Sequence, residues 1–190
     1  MTWIISDDDQ RKAIEEIEQT KSDRAAGIVA AAFVERDLIN AIEARLLKDD
    51  TLIEKLFKPT GALGAFETKA NLGFLLGIYD AEVHADITDI VWIRNRFAHN
   101  RQPLKFDSRD IRTRIDGLRI IKRPEYPKVP GIGLPDQVRS PPRLESGASP
   151  REKLILTVKL LAVVFWAASY DLVLDEQGRA KTWKEAEPRT

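Results

Sequence analysis

Cysteine is absent from the 190 residues, and histidine is limited to His84 and His99. The first absence excludes disulfides, thiolate zinc sites and cysteine nucleophiles, and the second excludes an imidazole-rich metal centre. Neither a metal nor a cofactor is expected. Charge of one sign is also missing: 30 Lys plus Arg balance 30 Asp plus Glu. That balance argues against whole-molecule adhesion to phosphate backbones. Nor is there a membrane-length apolar run. The best candidate, Leu154–Leu174, holds Lys159 and Asp171, and the stretch between them falls well short of the roughly 20 residues a span needs. Met1–Asp9 reads MTWIISDDD, with no basic start and no apolar stretch of signal-peptide kind. A cytoplasmic protein is expected. With 43% hydrophobic and 32% charged residues, a core can form without staples.

What is present reads as helix. Asp7 can cap a helix to Thr20 with Ile14 and Ile17 inward, and Ser22 or Asp23 opens a longer one to Leu47. Within it, Gly27–Val34 is uncharged all round, which requires burial by several neighbours. Further helices are expected over Thr51–Phe57, over Gly64–Leu76 with Gly77 as a left-handed stop, from a cap at Asp80 to Ala98, and over Asp107–Ile121. No stretch alternates with period two, so the fold class is all-α.

Lys122–Pro150 interrupts this pattern, holding seven of the ten prolines; a long loop or partly disordered linker is expected. Helix resumes at Ser149-Pro150-Arg151-Glu152, a capping box with proline at the first helical position. The expected division is an acidic helix over 1–21, a helical core over 22–121, the loop over 122–150, an apolar helix over 151–175 and a tail over 176–190. Charge follows the same order. Met1–Asp23 carries seven acidic and three basic residues, and Arg94–Arg123 ten basic and three acidic.

The segment IVWIRNRFAHN (90–100) is the most informative. Val83, Ile87, Ile90, Val91, Phe97 and Ala98 share one helical face, and Arg94 falls in its middle. A guanidinium there needs an anionic partner, because a desolvated lone charge is costly. Glu35 interrupts the stripe Ile28, Ala32, Ile39, Ile42, Leu46 at the same spacing. Either the two form a buried Glu35–Arg94 pair, or both reach the edges of their helices. His99 follows Arg94 by five residues, about 140° round the helix. The two converge only if the helix ends between them or two chains cross. Otherwise His99 is a favourable last-turn residue, with Asn100 as a left-handed stop.

Arg94-Asn95-Arg96-Phe97-Ala98-His99 resembles the R-x4-6-H motif of the HEPN superfamily of helical domains, in which a polar residue often follows the arginine. Ser22–Leu38 (SDRAAGIVAAAFVERDL), Thr60–Ile78 (TGALGAFETKANLGFLLGI) and Asp89–Asn100 (DIVWIRNRFAHN) resemble, in order, the mannitol operon repressor family of bacterial proteins. The likeness covers roughly residues 22–121; Glu67-Thr68-Lys69 departs from its pattern, and Lys122–Thr190 lies outside it. It implies a HEPN-like helical bundle, to which the residues themselves add a C-terminal helix, in a bacterial regulatory protein acting through a protein or RNA partner.

The alternative it implies is a metal-independent endoribonuclease. Arg94 would then stabilise charge on the scissile phosphate, His99 would move the proton and Asn95 would orient one of them, with Glu35 and Arg96 supporting. A symmetric homodimer is expected, because it would join two Arg94–His99 segments and cover the apolar run Leu160–Ala168. Direct DNA reading is not expected. Arg101, Arg109 and Arg112 offer cations to a nucleic acid, but no compact helix-turn pair precedes them.

Overall fold

A computed structural model describes residues 8–124 and 142–169, with the backbone of 173–174 and 180–181. Seven α-helices are found among these residues: α1 (Asp8–Gln19), α2 (Asp23–Glu43), α3 (Asp50–Phe57), α4 (Phe66–Leu75), α5 (Ala81–His99), α6 (Arg109–Gly117) and α7 (Pro150–Ser169). A single 3-10 turn occupies Ile120–Lys122, and Val173–Leu174 pairs antiparallel with Ala180–Lys181. The all-α expectation holds. The last helix is shorter than expected, since Val173 and Leu174 lie in that two-residue ladder. The Asp7 cap and the loop residues 125–141 lie outside the described residues.

The central element is α2, packed by α1, α4, α5 and α7. Ala26, Gly27, Ala30, Ala31, Phe33 and Val34 are all buried, as the uncharged stretch requires. Gly27 makes this packing close: a Cβ there would sit 2.6 Å from the Phe97 ring of α5. The expected stripe on α2 is only partly right. Ile42 is buried, but Ala32 is exposed, and Asp37 is buried instead. With neighbours on several sides, a single-stripe reading of α2 fails.

The helix ends follow local chemistry. Ser22 accepts from the Ala25 N–H at 3.2 Å, and Asp80 accepts from Glu82 and Val83 at 3.1 and 3.0 Å. Gly77 takes φ +68°, and the Ile78 N–H reaches the Gly73 carbonyl at 3.1 Å, which closes α4 as a left-handed C-terminal motif. Asn100 does not stop α5 that way; its backbone is extended at φ −79°, ψ 132°. Arg24 instead donates to the carbonyls of Ala98 and Asn100 at 2.9 and 3.3 Å, satisfying the end of the helix with a cation. The expected capping box is present: the Ser149 N–H donates to Glu152 at 2.7 Å, and the Glu152 N–H donates back to Ser149 Oγ at 3.3 Å.

The apolar run of α7 is largely consumed within the chain. Leu160, Leu161, Val164, Phe165 and Ala168 are all at most 2% exposed, while Ala162 and Trp166 are half-buried, so most of this run is covered within the chain. Among the described residues, the exposed large apolar side chains are Leu47 in the loop between α2 and α3, Leu52 and Leu56 of α3, and Phe74 and Leu75 at the end of α4. No residue of α3 is buried. No described helix is long and apolar enough to cross a membrane.

Candidate functional site

Arg94 lies on the face of α5 that its spacing predicts, yet it is exposed. At its level α4 has barely begun, and the neighbouring residues Gly64 and Ala65 carry little or no side chain. The result is a cleft of about 230 Å³ lined by Glu35, Gly64, Ala65, Phe66, Glu67, Val91, Arg94 and Asn95. The helical angle was therefore sound, but the space it faces is an opening and not packed core.

Glu35 and Arg94 border this cleft without forming the expected pair. The partner of Glu35 is Lys69 of α4, with Nζ 2.5 Å from Oε1. Lys69 also donates to the Gly64 carbonyl at 3.1 Å, and its side chain is 4% exposed against 25% for Glu35. A lysine stem is long enough to bury its ammonium beneath the cleft, whereas the Arg94 guanidinium projects outward at its rim. Arg94 donates to Asn95 Oδ1 at 2.9 Å, a neighbour in sequence. No motif names Lys69, since Glu67-Thr68-Lys69 departs from the pattern of the family it resembles. The available signal was its place three residues after Phe66 and one before Ala70, on the buried face of α4.

His99 is the last residue of the uninterrupted helix α5, and it is exposed. Continuous helix between Arg94 and His99 keeps them about 140° apart, and His99 does not line the cleft. Arg96, expected as a support, holds α6 through Asp110 at 2.8 Å. Of the three expected nucleic-acid cations, Arg112 is engaged by Asp107 and Asp116 at 3.4 and 3.6 Å. Arg101 and Arg109 are exposed with no carboxylate partner among the described residues. No group of three or more metal-ligating side chains is found among the described residues.

Asp86 was also missed. It is 0% exposed and accepts from the N–H groups of Arg119 and Ile120 at 2.9 and 2.7 Å and from Arg119 Nη1 at 3.1 Å. Burial pushes its pKa up, against the opposing pull of those donors. This carboxylate fastens the 3-10 turn to α5, and its contacts explain why α6 ends at Gly117 and does not continue to Ile121. Nearby, Arg114 meets Asp89 at 2.5 Å and lies 4.4 Å over the Trp92 ring. Much of the basic surplus between Arg94 and Arg123 therefore holds α5, α6 and the following turn together.

No protein-family profile and no curated protein matches this sequence. The fold is similar to that of a chain in the X-ray structure of the MtlR–HPr complex from Escherichia coli, with a TM-score of 0.60. That likeness covers 82% of this chain and 96% of the other, at 17% sequence identity. Identity at this level shows a shared helical architecture.

Proposed function

We propose that this protein is a regulator that works by docking a protein partner, HPr or a protein like it. The observation that carries the reading is the fold likeness to a chain of the MtlR–HPr complex, which extends over nearly that whole chain. The resemblance to mannitol operon repressors makes gene regulation the setting. A surface suited to a protein partner is available at Leu47, Leu52, Leu56, Phe74 and Leu75, all exposed and all within 47–75. Exposed apolar side chains of this kind supply the core of ordinary protein interfaces. The nuclease alternative gains no comparable support, since it needs a second copy to bring a His99 to an Arg94.

Titration calorimetry of the purified chain with HPr tests the proposal. A saturable one-to-one complex is expected, lost when Leu52 and Leu75 are both changed to Asp. No complex at concentrations up to about 100 μM, where even a weak interface of about −6 kcal/mol would register, would overturn it.

A further inference from the structure

The fold sorts the basic segment Arg94–Arg123 into two groups. Arg96, Arg112, Arg114, Arg119 and Arg123 each meet a carboxylate. Arg94 and Lys122 bond an amide oxygen and a backbone carbonyl, and the second group, Arg101, Lys105 and Arg109, meets no carboxylate among the described residues and is exposed. The second group is gathered with Lys21 and Arg24 at one end of the bundle. Arg24 is pinned to the Ala98 and Asn100 carbonyls, which places the start of α2 against the end of α5. The Phe106 N–H donates to Asp23 Oδ2 at 3.0 Å, which draws in the loop between α5 and α6. Arg101 follows Asn100, Lys105 precedes Phe106, and Arg109 opens α6. The carboxylates there are already engaged: Asp23 by Phe106 and by Arg151 at 3.3 Å, Asp107 by Arg112, and Asp110 by Arg96.

We infer that this end of the bundle binds the phosphodiester backbone of a nucleic-acid duplex without reading its bases. Arginine and lysine heads on a loop and two helix starts can neutralise several phosphates at once. An acidic protein surface fits less well, because among the described residues the large exposed apolar side chains lie at 47–75 and none is here to form an interface core. A single strand also fits less well. Among the described residues, the aromatic rings nearest this end, Phe97 and Phe106, are buried edge-to-face against each other at 5.3 Å, which leaves neither to stack a base. Helix α6 presents Ile111 and Ile115 to the core, so it is not a free reading helix. The site is separate from the proposed protein-docking surface and does not depend on it.

Fluorescence anisotropy of the full chain with a labelled duplex of about 20 base pairs, DNA and RNA in separate arms, tests the inference. With about four phosphate contacts, affinity for the DNA duplex is expected to fall about 100-fold between roughly 50 and 200 mM salt. The variant R101E/R109E is expected to weaken binding at least tenfold and to lower the salt slope by about 2. K105E, a single exposed change, is expected to act in the same direction if the double variant fails to fold. K55E/K58E on and beside α3 is expected to leave binding unchanged. Preference between the DNA and RNA arms identifies the source of the backbone. Four results would overturn the inference: no duplex binding tighter than about 100 μM at low salt, equal loss in the α3 variant, tighter binding to a single strand of either type, or tighter binding to polyglutamate.

Discussion

Beneath the cleft, Glu35 and Lys69 meet at 2.5 Å with the ammonium almost sealed from water, whereas beyond the end of α5 the cations Arg101, Lys105 and Arg109 face solvent with no carboxylate partner among the described residues. Both regions are built from charged side chains next to α5. In the first, charge is an internal fastener whose removal is felt as lost stability. In the second, the charged side chains face solvent, where the proposed phosphate backbone would meet them. Position in the sequence does not separate the two uses, since Arg94, Arg96 and Arg101 follow one another closely. What separates them is whether another helix brings a carboxylate within reach.

The largest effect that would sharpen this contrast is expected from Glu35→Ala. It strands a nearly buried ammonium, at a cost of about 3–5 kcal/mol. Adding Lys69→Met should recover most of the loss by removing the stranded charge. Urea unfolding of the two variants checks this, and an unchanged midpoint for Glu35→Ala would show that the ion pair carries no stability.

Asp86→Ala comes next, at about 2–4 kcal/mol, because the Arg119 and Ile120 N–H groups lose their acceptor in the interior. Hydrogen exchange at Ile120 should accelerate well beyond that at Ile87 of α5.

A smaller effect is expected from acid at Asp80. The Arg123 guanidinium, bonded at 2.7 and 2.9 Å, holds this carboxyl below its ordinary value of 3.8, against partial desolvation. A lowered folded-state value stabilises fully above the unfolded value, and that contribution is lost as pH falls through the folded one. Asp86, raised by burial, shifts stability in the opposite sense, gaining as it takes up its proton. The stability gap between the parent and Asp80→Asn should therefore be constant near neutral pH and close below about pH 4. Denaturation midpoints across the acid range read this directly, and a gap that stays open would remove Asp80 from the account.

The local grammar of this chain was legible. Ser22, Asp80, Gly77 and the Ser149–Glu152 box mark helix ends where capping chemistry places them, because caps depend on a few consecutive residues. The inward direction of Ile14, Ile17, Ile87, Ile90 and Phe97 was legible for the same reason. Pairing between helices was not. Arg94 has the right angle for burial, but whether it meets a side chain or an opening depends on where α4 begins. Glu35 required a partner that its spacing could not name. Asp86 reads as an ordinary polar position until the turn at Arg119 and Ile120 folds back onto it. How much of Leu160–Ala168 is covered within the chain was not legible, because the burial capacity of α2 on several sides is invisible from single-helix patterns.

Arg94 and His99 stand apart on the continuous helix α5, and the proposed reading treats them as separate residues and not as a catalytic pair. Incubating the purified parent protein, Arg94→Ala and His99→Ala with total RNA in metal-free buffer tests it most directly. The account predicts the same RNA profile for all three proteins and for a protein-free control. Cleavage by the parent that disappears in both variants would contradict it.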